Sequence, residues 1–290
     1  MKIILSRKGF DSSTGKVASP IFPSCELCSL PIPEARPNSG AKRYEEIKIG
    51  ELSLGMIVRD LTRGKIQGDA PAHLDPDLNM GSVPRLANWK PVFGQAGAAE
   101  RHLQNHGVKE GDVFIFYGWF RQVEQLAGVY RYVKHAPDLH VIFGWLQIER
   151  RIPVEKRCEI PLWVLDHPHC RRATYSPSDS VYIATDYLKL PGMHIDKPGG
   201  GVFRRFHPDL CLTAPGASSR STWRFPGWFS PGEGKAGLSY HANPGRWTQE
   251  GEYVLLKSVG RGQEFVLDCE EYPESIRWLS SILELSEAGT

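Results

Sequence analysis

Two long apolar and aromatic segments, Val113–Phe120 and Leu139–Ile148, constrain the fold more than any other feature of this 290-residue sequence. Each segment is short and rich in aromatic and β-branched residues, so the pattern predicts two buried β-strands rather than helices. A Gly-Trp dipeptide lies in each strand, with its tryptophan at Trp119 or Trp145. Glycine inside a strand marks a bulge or the close approach of another backbone. The two tryptophans therefore either fill a core or line a pocket for a planar ligand such as a base.

Shorter segments with strand character are distributed along the rest of the chain. Their apolar residues predict strands at Ile3–Ser6, Val129–Lys134, Val181–Ala184, Leu210–Thr213, Tyr253–Ser258 and Glu264–Asp268. Helices are predicted over Gln95–His106 and after Pro273, whereas residues 7–40 are predicted as turns and edge strands and residues 60–92 as a long ordered loop. The sequence therefore predicts a β-rich α+β fold, built on a partly open barrel or a mixed sheet with a few flanking helices. The Gly-Asp turn before the first aromatic strand also resembles modified-base-binding barrels of the PUA type.

The composition limits the classes of protein to which the chain can belong. The 29 Gly and 22 Pro residues are spread along the sequence, and no linker divides it. A single domain over residues 1–290 is therefore expected, with two subdomains divided near 150–200 as the alternative. No run of about eighteen apolar residues occurs, so no membrane span is expected. The N-terminus returns to charged residues after three apolar ones, which is too short for a signal peptide, and a cytoplasmic location is predicted.

The sharpest polar cluster in the sequence runs from residue 73 to residue 77. In an extended segment His73, Asp75 and Asp77 point to one side, so one imidazole and two carboxylates lie together. These groups are ligands for iron, manganese or zinc, and a distant histidine is needed to complete a 2-His-1-carboxylate site. The histidines available for this role are His140, His167, His169 and His241. An alternative is that the Asp-Pro turns cap loops and the histidines bind backbone groups.

Residues 197–261 combine positive charge with aromatic side chains. This segment contains nine Lys or Arg residues against four Asp or Glu residues, together with nine aromatic residues. Phosphate contacts are predicted at Arg204, Arg205, Arg220 and Arg224. Aromatic faces can stack on bases, and a glutamine carboxamide can pair with a base edge. A solvated basic surface over a tryptophan core is the alternative that the same pattern allows.

These patterns define two sets of candidate site residues. The predicted catalytic residues are His73, Asp75, His167, His169 and His241. Within that set, the predicted ligands of a divalent metal are His73, Asp75, His167 and His169. The predicted substrate-binding residues are Gln95, Trp119, Trp145, Gln147, Arg220 and Trp223.

Short blocks distributed over the whole chain together form a recognisable pattern. The blocks are Ile3–Ser12, Ser29–Pro33, His73–Leu78, Phe93–Gln95 with Gly97 and His102–Leu103, the two Gly-Trp strands, His167–His169, Ser221–Trp223, Tyr240–His241 and Gly262–Val266. With these blocks the sequence resembles the nucleotide modification associated domain 3 family of bacteria and phages. The resemblance implies an association with systems that modify nucleotides or DNA bases, and it supplies neither a reaction nor residue roles.

Two functional interpretations remain open. The first, which we favour, is an enzyme or enzyme subunit that acts on a nucleotide or a DNA base. Its candidate cofactor is an iron, manganese or zinc ion, and its candidate partners are other base-modification proteins. The second is a non-catalytic reader that binds a modified base or nucleic acid. A more distant alternative is an enzyme that acts on a different small molecule.

Overall fold

The computed structural model describes residues 1–35, 40–171, 177–232, 234–260 and 262–286. Its strands are β1 (Lys2–Arg7), β2 (Ser19–Ile21), β3 (Lys48–Ile49), β4 (Leu52–Ser53), β5 (Val92–Gln95), β6 (Val113–Leu126), β7 (Val129–Tyr132), β8 (Leu139–Pro153), β9 (Ser180–Ala184), β10 (Gly200–Val202), β11 (Thr222–Pro226), β12 (Trp247–Glu250), β13 (Tyr253–Lys257) and β14 (Glu264–Asp268). Its α-helices are α1 (Leu54–Leu61), α2 (Gly97–Asn105) and α3 (Glu274–Glu284). None of these helices is long and apolar enough to cross a membrane.

Most of the strands join one large mixed sheet. Its strand order is β14-β1-β6-β8-β9-β5, with β10 paired to β8 and with β2 and β7 paired to β6. β1 and β2 run parallel to β6, and the other neighbours in this sheet are antiparallel. β11, β13 and β12 form a separate three-stranded sheet. The predicted β-rich α+β class with a mixed sheet is confirmed, and a PUA-like core stays a prediction.

The two aromatic segments form the longest strands, β6 and β8, which pair with each other inside the large sheet. Every residue from 113 to 118 and from 140 to 148 is buried, as a strand covered on both faces requires. The register shifts where Phe116 and Tyr117 face β8, which leaves Phe143 as an extra residue. A bulge of this kind re-aims a side chain, and Phe143 lines the cleft described below.

The two edge strands of the large sheet, β5 and β14, approach each other through side chains. Gln95 at the end of β5 donates from Nε2 to Glu264 Oε1 on β14 at 2.5 Å. Lys8 Nζ lies 2.8 Å from the same oxygen. Glu264 is buried, and a buried carboxylate is costly unless cations and hydrogen-bond donors compensate its charge. Gln95 therefore connects the two edges of the open sheet.

One predicted strand is wrong, and one helix lies where the sequence analysis predicts none. Leu210–Thr213 does not form a strand, because the chain forms a short 3-10 helix over Pro208–Leu210. His207 caps the start of this helix by accepting the N–H of Asp209 at Nδ1. In addition, α1 lies outside every predicted helix and overlaps the start of the predicted loop at residues 60–92. Ser53 caps α1 by accepting the N–H of Gly55, and the helix buries an apolar stripe in a second core cluster.

Candidate functional site

Two separate chain segments meet at the candidate site. The extended segment that precedes β5 carries His73 and Asp75. The 3-10 turn Pro168–Cys170 carries His169, and His167 caps this turn with its side chain. The sequence placed these four residues in one candidate metal site, and the fold brings them together across more than ninety positions of sequence.

Three of these side chains offer ligand atoms that converge. One nitrogen or oxygen atom from each of His73, Asp75 and His169 lies within 4.8 Å of the others. Asp75 Oδ2 is 3.9 Å from His73 Nε2 and 3.5 Å from His169 Nε2. All three residues are buried. Two imidazoles and one carboxylate in this arrangement can ligate a divalent first-row metal and leave other coordination positions open.

The second oxygen of Asp75 has different neighbours. The backbone N–H of Gly94 donates to Oδ1 at 2.8 Å, and His167 Nε2 lies 3.2 Å from the same atom. Burial alone would raise the pKa of Asp75, but its interactions with His167 and His169 hold the pKa well below its ordinary value. The carboxyl group is therefore ionised at neutral pH. Its Oδ1 is fixed by the protein, and its Oδ2 faces the two histidines of the converging set.

Hydrogen bonds define which ring nitrogens carry protons. His73 Nδ1 lies 2.7 Å from Glu34 Oε2, so Nδ1 is the protonated atom and Nε2 presents its lone pair to the cluster. His167 Nδ1 accepts the backbone N–H of His169 at 3.4 Å, which makes Nε2 its protonated atom. That Nε2 is close to Asp75 Oδ1 but is not aligned as a hydrogen bond. The tautomer of His73 is therefore the one that a metal ligand requires.

His169 presents a neutral imidazole to the cluster. Burial lowers its pKa to about 4, although the neighbouring carboxylate of Asp75 opposes this shift. Its Nδ1 is buried and has no hydrogen-bond partner among the residues that the structure describes. A ligating nitrogen must be unprotonated, so a neutral ring at this position is suited to hold a metal ion.

Gly94 on β5 provides the surface on which the two imidazoles of the second segment pack. A Cβ atom at this position would lie 2.3 Å from Cδ2 of His169 and 2.9 Å from Cε1 of His167. Both distances are shorter than any ordinary contact between carbon atoms. Only glycine therefore lets the turn that carries His167 and His169 approach the strand this closely.

Asp77 belongs to a different interaction. Arg85 Nη1 and Nη2 each lie 2.5 Å from one of its carboxylate oxygens, which forms a bidentate ion pair. Burial raises the pKa of Asp77, and Arg85 opposes the shift. The converging ligand set includes His73 and Asp75 from this segment, and it does not include Asp77.

A cleft of about 310 Å³ lies beside the cluster, and Asp75 forms part of its wall. Its apolar wall contains Leu27, Ile47, Leu54, Leu74, Leu78, Phe143 and Phe203. Its charged lining residues are Glu26, Lys48, Asp75, Asp77 and Arg204. Mostly apolar cavities of this size with a few polar groups are typical of small-molecule sites. A second cavity of about 360 Å³ is lined by residues that include His167 and Arg85.

Two of the other predicted residues lie in an aromatic core. Trp223 is fully buried and donates from Nε1 to His140 Nδ1 at 2.9 Å. His241 is also buried, and its Nδ1 donates to the carbonyl of Ser239 at 2.9 Å. His241 Nε2 accepts the backbone N–H of Val259 at 3.1 Å. The structure does not bring Trp223 or His241 to the candidate cluster, and their functional roles stay predictions.

Trp145 and Gln147 lie side by side on β8 and bind the backbone of neighbouring loops. Trp145 Nε1 donates to the carbonyl of Pro198 at 3.0 Å. Gln147 Nε2 donates to the carbonyls of Gly111 and Lys189, and its Oε1 accepts the N–H of Lys189. Both side chains are buried, and neither lines the cleft beside Asp75.

Trp119 and Arg220 meet at the protein surface. The Arg220 guanidinium lies 4.3 Å from the Trp119 ring centroid, which is a cation–π contact. Trp119 Nε1 donates to Asp138 Oδ1 at 2.9 Å. Both side chains are partly exposed. This pair lies outside the lining of the cleft, so the predicted substrate-binding residues do not form one site.

Sequence reasoning did not identify Glu34 or Gly94 as parts of the site. Glu34 lies 39 residues before its partner His73, and no spacing pattern connects them. Gly94 gave one signal, since it stands in a sequence block that resembles a known family. Its role as a packing surface follows only from the fold.

Comparisons with known proteins gave one match. A family model described as nucleotide modification associated domain 3 matches residues 2–268. This range contains all strands of the large sheet and every residue of the candidate cluster, and it ends before α3. Neither the curated proteins nor the solved structures that were compared with the chain gave a match.

Proposed function

The chain belongs to the nucleotide modification associated domain 3 family, and we propose that it is a metal-dependent enzyme acting on a nucleotide or a DNA base. The family associates the chain with nucleotide modification systems. The observation that carries the proposal is the convergence of His73 Nε2, Asp75 Oδ2 and His169 Nε2 beside a cleft. Other base-modification proteins remain the predicted partners.

The ligand chemistry favours iron, manganese or zinc as the bound ion. Two imidazole nitrogens and one carboxylate oxygen suit these metals, whereas magnesium and calcium prefer oxygen ligands. Three protein ligands leave open coordination positions for water or substrate. Such an ion supplies Lewis acidity, or in the case of iron or manganese redox chemistry, next to the cleft.

The remaining residues hold the ligands in place. Glu34 orients His73 through Nδ1, as carboxylates commonly do for metal-bound histidines. The N–H of Gly94 fixes the Oδ1 atom of Asp75, which aims Oδ2 at the ligand set, and His167 Nε2 lies 3.2 Å from the same Oδ1. In this proposal His167 positions Asp75.

Metal analysis of the purified protein tests the proposal. We expect about one transition-metal ion per chain, as three protein ligands in one site imply. His73→Ala and His169→Ala should each lose the metal, because each removes one of three ligands. His194→Ala is the matched control, since this exposed histidine lies outside the cluster, and it should retain the metal.

Two results would contradict the enzyme. One is a protein that takes up no transition metal during purification or on reconstitution. The other is an unaltered, metal-loaded protein that turns over no nucleotide and binds a modified base, with the same affinity after both histidines are removed. The second result would favour the non-catalytic reader.

A further inference from the structure

Two cations line the cleft beside Asp75 without a partner for their side chains. Lys48 on β3 and Arg204, which follows β10, are both exposed at the cleft. No ion pair or hydrogen bond within the described residues engages either side chain. The backbone carbonyl of Arg204 accepts the N–H of Leu27 at 2.8 Å and leaves the guanidinium free. Both positive charges are therefore available to a ligand in the cleft.

The inner wall of the same cleft is apolar and partly aromatic. The bulge in β8 turns Phe143 into this wall, and the carbonyl of Phe143 accepts the backbone N–H of Phe203 at 2.9 Å. Leu74 and Leu78, which are close to Asp75 in the sequence, also line the cleft. A flat apolar group such as a nucleobase matches a wall of this kind, because burial of its faces is favourable.

We infer that this cleft binds one free nucleoside monophosphate, with the base against the apolar wall and the phosphate held by Lys48 and Arg204. A phosphate monoester carries a charge of about −1.5 to −2 at pH 7. Two unpaired cations match that charge. The inference deepens the proposed function and rests on it, because that function makes a nucleotide the substrate.

The charges of the lining favour a free nucleotide over a DNA strand. Lys48 and Arg204 are the only cations among the residues that line the cleft, and Glu26, Asp75 and Asp77 are acidic. A DNA strand would bring further phosphates to the cleft. Proteins that bind single-stranded nucleic acid provide a positively charged groove along its backbone. The volume of about 310 Å³ also suits a single small ligand.

Isothermal titration calorimetry on the purified, metal-containing protein tests this inference. The probes are the four deoxynucleoside 5′-monophosphates, the corresponding nucleosides without phosphate, and a single-stranded oligonucleotide of mixed sequence. The variants are Lys48→Gln and Arg204→Gln. Arg205→Gln is the matched control, because Arg205 is the neighbouring exposed arginine and does not line the cleft.

We expect at least one monophosphate to bind and its nucleoside to bind about tenfold more weakly or worse, as the loss of charge-assisted hydrogen bonds implies. Each variant should weaken monophosphate binding by about tenfold, and it should leave nucleoside binding and metal content unchanged. Arg205→Gln should behave as the unaltered protein. Equal affinity for nucleoside and monophosphate, or binding of the oligonucleotide without binding of any monophosphate, would overturn the inference.

The experiment separates failure of this inference from failure of the proposed function. If the protein holds a metal at the His73 cluster but shows no dependence on phosphate, the inference fails and the metal-dependent enzyme stands. If phosphate binding depends on Lys48 and Arg204 in a protein that takes up no metal, the inference stands and the metal-dependent enzyme fails.

Discussion

At the scale of single residues, the two carboxylate oxygens of Asp75 have different neighbours and different roles. Oδ1 receives the N–H of Gly94 and lies beside His167, whereas Oδ2 faces His73 and His169. The first oxygen fixes the side chain, which leaves the second oriented towards the place where a metal ion would lie. A carboxylate with both oxygens free to rotate would provide a less defined ligand.

Removal of the Glu34 carboxylate tests whether it orients His73 for metal binding. Glu34→Ala should weaken metal affinity by about tenfold to a hundredfold, because His73 loses the carboxylate that fixes its tautomer. Competition titration with a chelating metal indicator measures this affinity. The control is Glu45→Ala, which removes an exposed carboxylate outside the cluster. Equal affinities in all three proteins would show that Glu34 does not orient a ligand.

Addition of one methyl group at Gly94 tests the packing surface of the site. The new Cβ would overlap the rings of His169 and His167, so Gly94→Ala should displace both imidazoles and greatly reduce metal content. Overpacking of this kind also costs about 1–3 kcal/mol of unfolding free energy. Gly260→Ala is the control, because a Cβ there meets no atom within 4 Å. A Gly94→Ala protein with full metal content would contradict this geometry.

At the scale of elements, the two edges of the open sheet are linked by side chains. Within the described residues, no backbone pairing of strands joins these edges. Gln95 ends β5, Glu264 begins β14, and their hydrogen bond connects strands at opposite ends of the strand order. β5 also carries Gly94, so the position of this edge affects the candidate cluster. The hydrogen bond between Gln95 and Glu264 therefore affects both the stability of the sheet and the geometry of the site.

Truncation of Gln95 should destabilise the sheet. Gln95→Ala leaves the buried carboxylate of Glu264 with one partner fewer, which costs about 1–3 kcal/mol of unfolding free energy. Urea unfolding measures the change. Gln125→Ala, at an exposed position near the end of β6, should cost less than about 0.5 kcal/mol. Equal effects of the two substitutions would argue against a stabilising link between the edges.

The sequence predicts some elements and some site residues better than others, for physical reasons. β6 and β8 are predicted because continuous burial selects continuous apolar residues. Pro208 starts a short 3-10 helix, but the apolar residues that follow it have the pattern of a strand. His73, Asp75, His167 and His169 are identified from two short local spacings. Glu34 joins them only through the tertiary fold, which no local pattern encodes.

At the scale of the whole molecule, the three-stranded sheet packs against the large sheet through an aromatic layer. Trp223 of β11 lies edge-on to Tyr117 of β6, with ring centroids 5.0 Å apart, and also contacts His140 of β8. His140 Nδ1 accepts a hydrogen bond from Trp223, which requires that this nitrogen is unprotonated. Burial lowers the pKa of His140 to about 3. The interface between the sheets therefore contains a neutral histidine.

This histidine makes stability depend on pH. An unfolded histidine has a pKa near 6.5, so the unfolded chain binds one more proton than the folded protein between about pH 6.5 and pH 3. The unfolding free energy should therefore be highest above pH 6.5 and fall with acidification, by about 1.4 kcal/mol per pH unit from this group. His140→Asn keeps an acceptor for Trp223 and does not titrate. Urea unfolding from pH 8 to pH 4 should show a shallower decline for the variant.

The other buried histidines titrate in both proteins of that comparison, so their contributions cancel. His169 and His241 both have pKa values lowered to about 4 by burial, and they add to the acid sensitivity of each protein equally. Only the difference between the two curves belongs to His140. Parallel curves for the variant and the unaltered protein would mean that the imidazole is not neutral at the interface.

The central claim is that His73, Asp75 and His169 hold a divalent transition metal beside the cleft. A crystal structure of the metal-loaded protein, with anomalous diffraction collected at the absorption edge of the bound metal, tests it most directly. We expect one strong anomalous peak about 2.0–2.3 Å from His73 Nε2, Asp75 Oδ2 and His169 Nε2. A peak at any other residues, or no peak in protein exposed to excess iron, manganese and zinc, would contradict it.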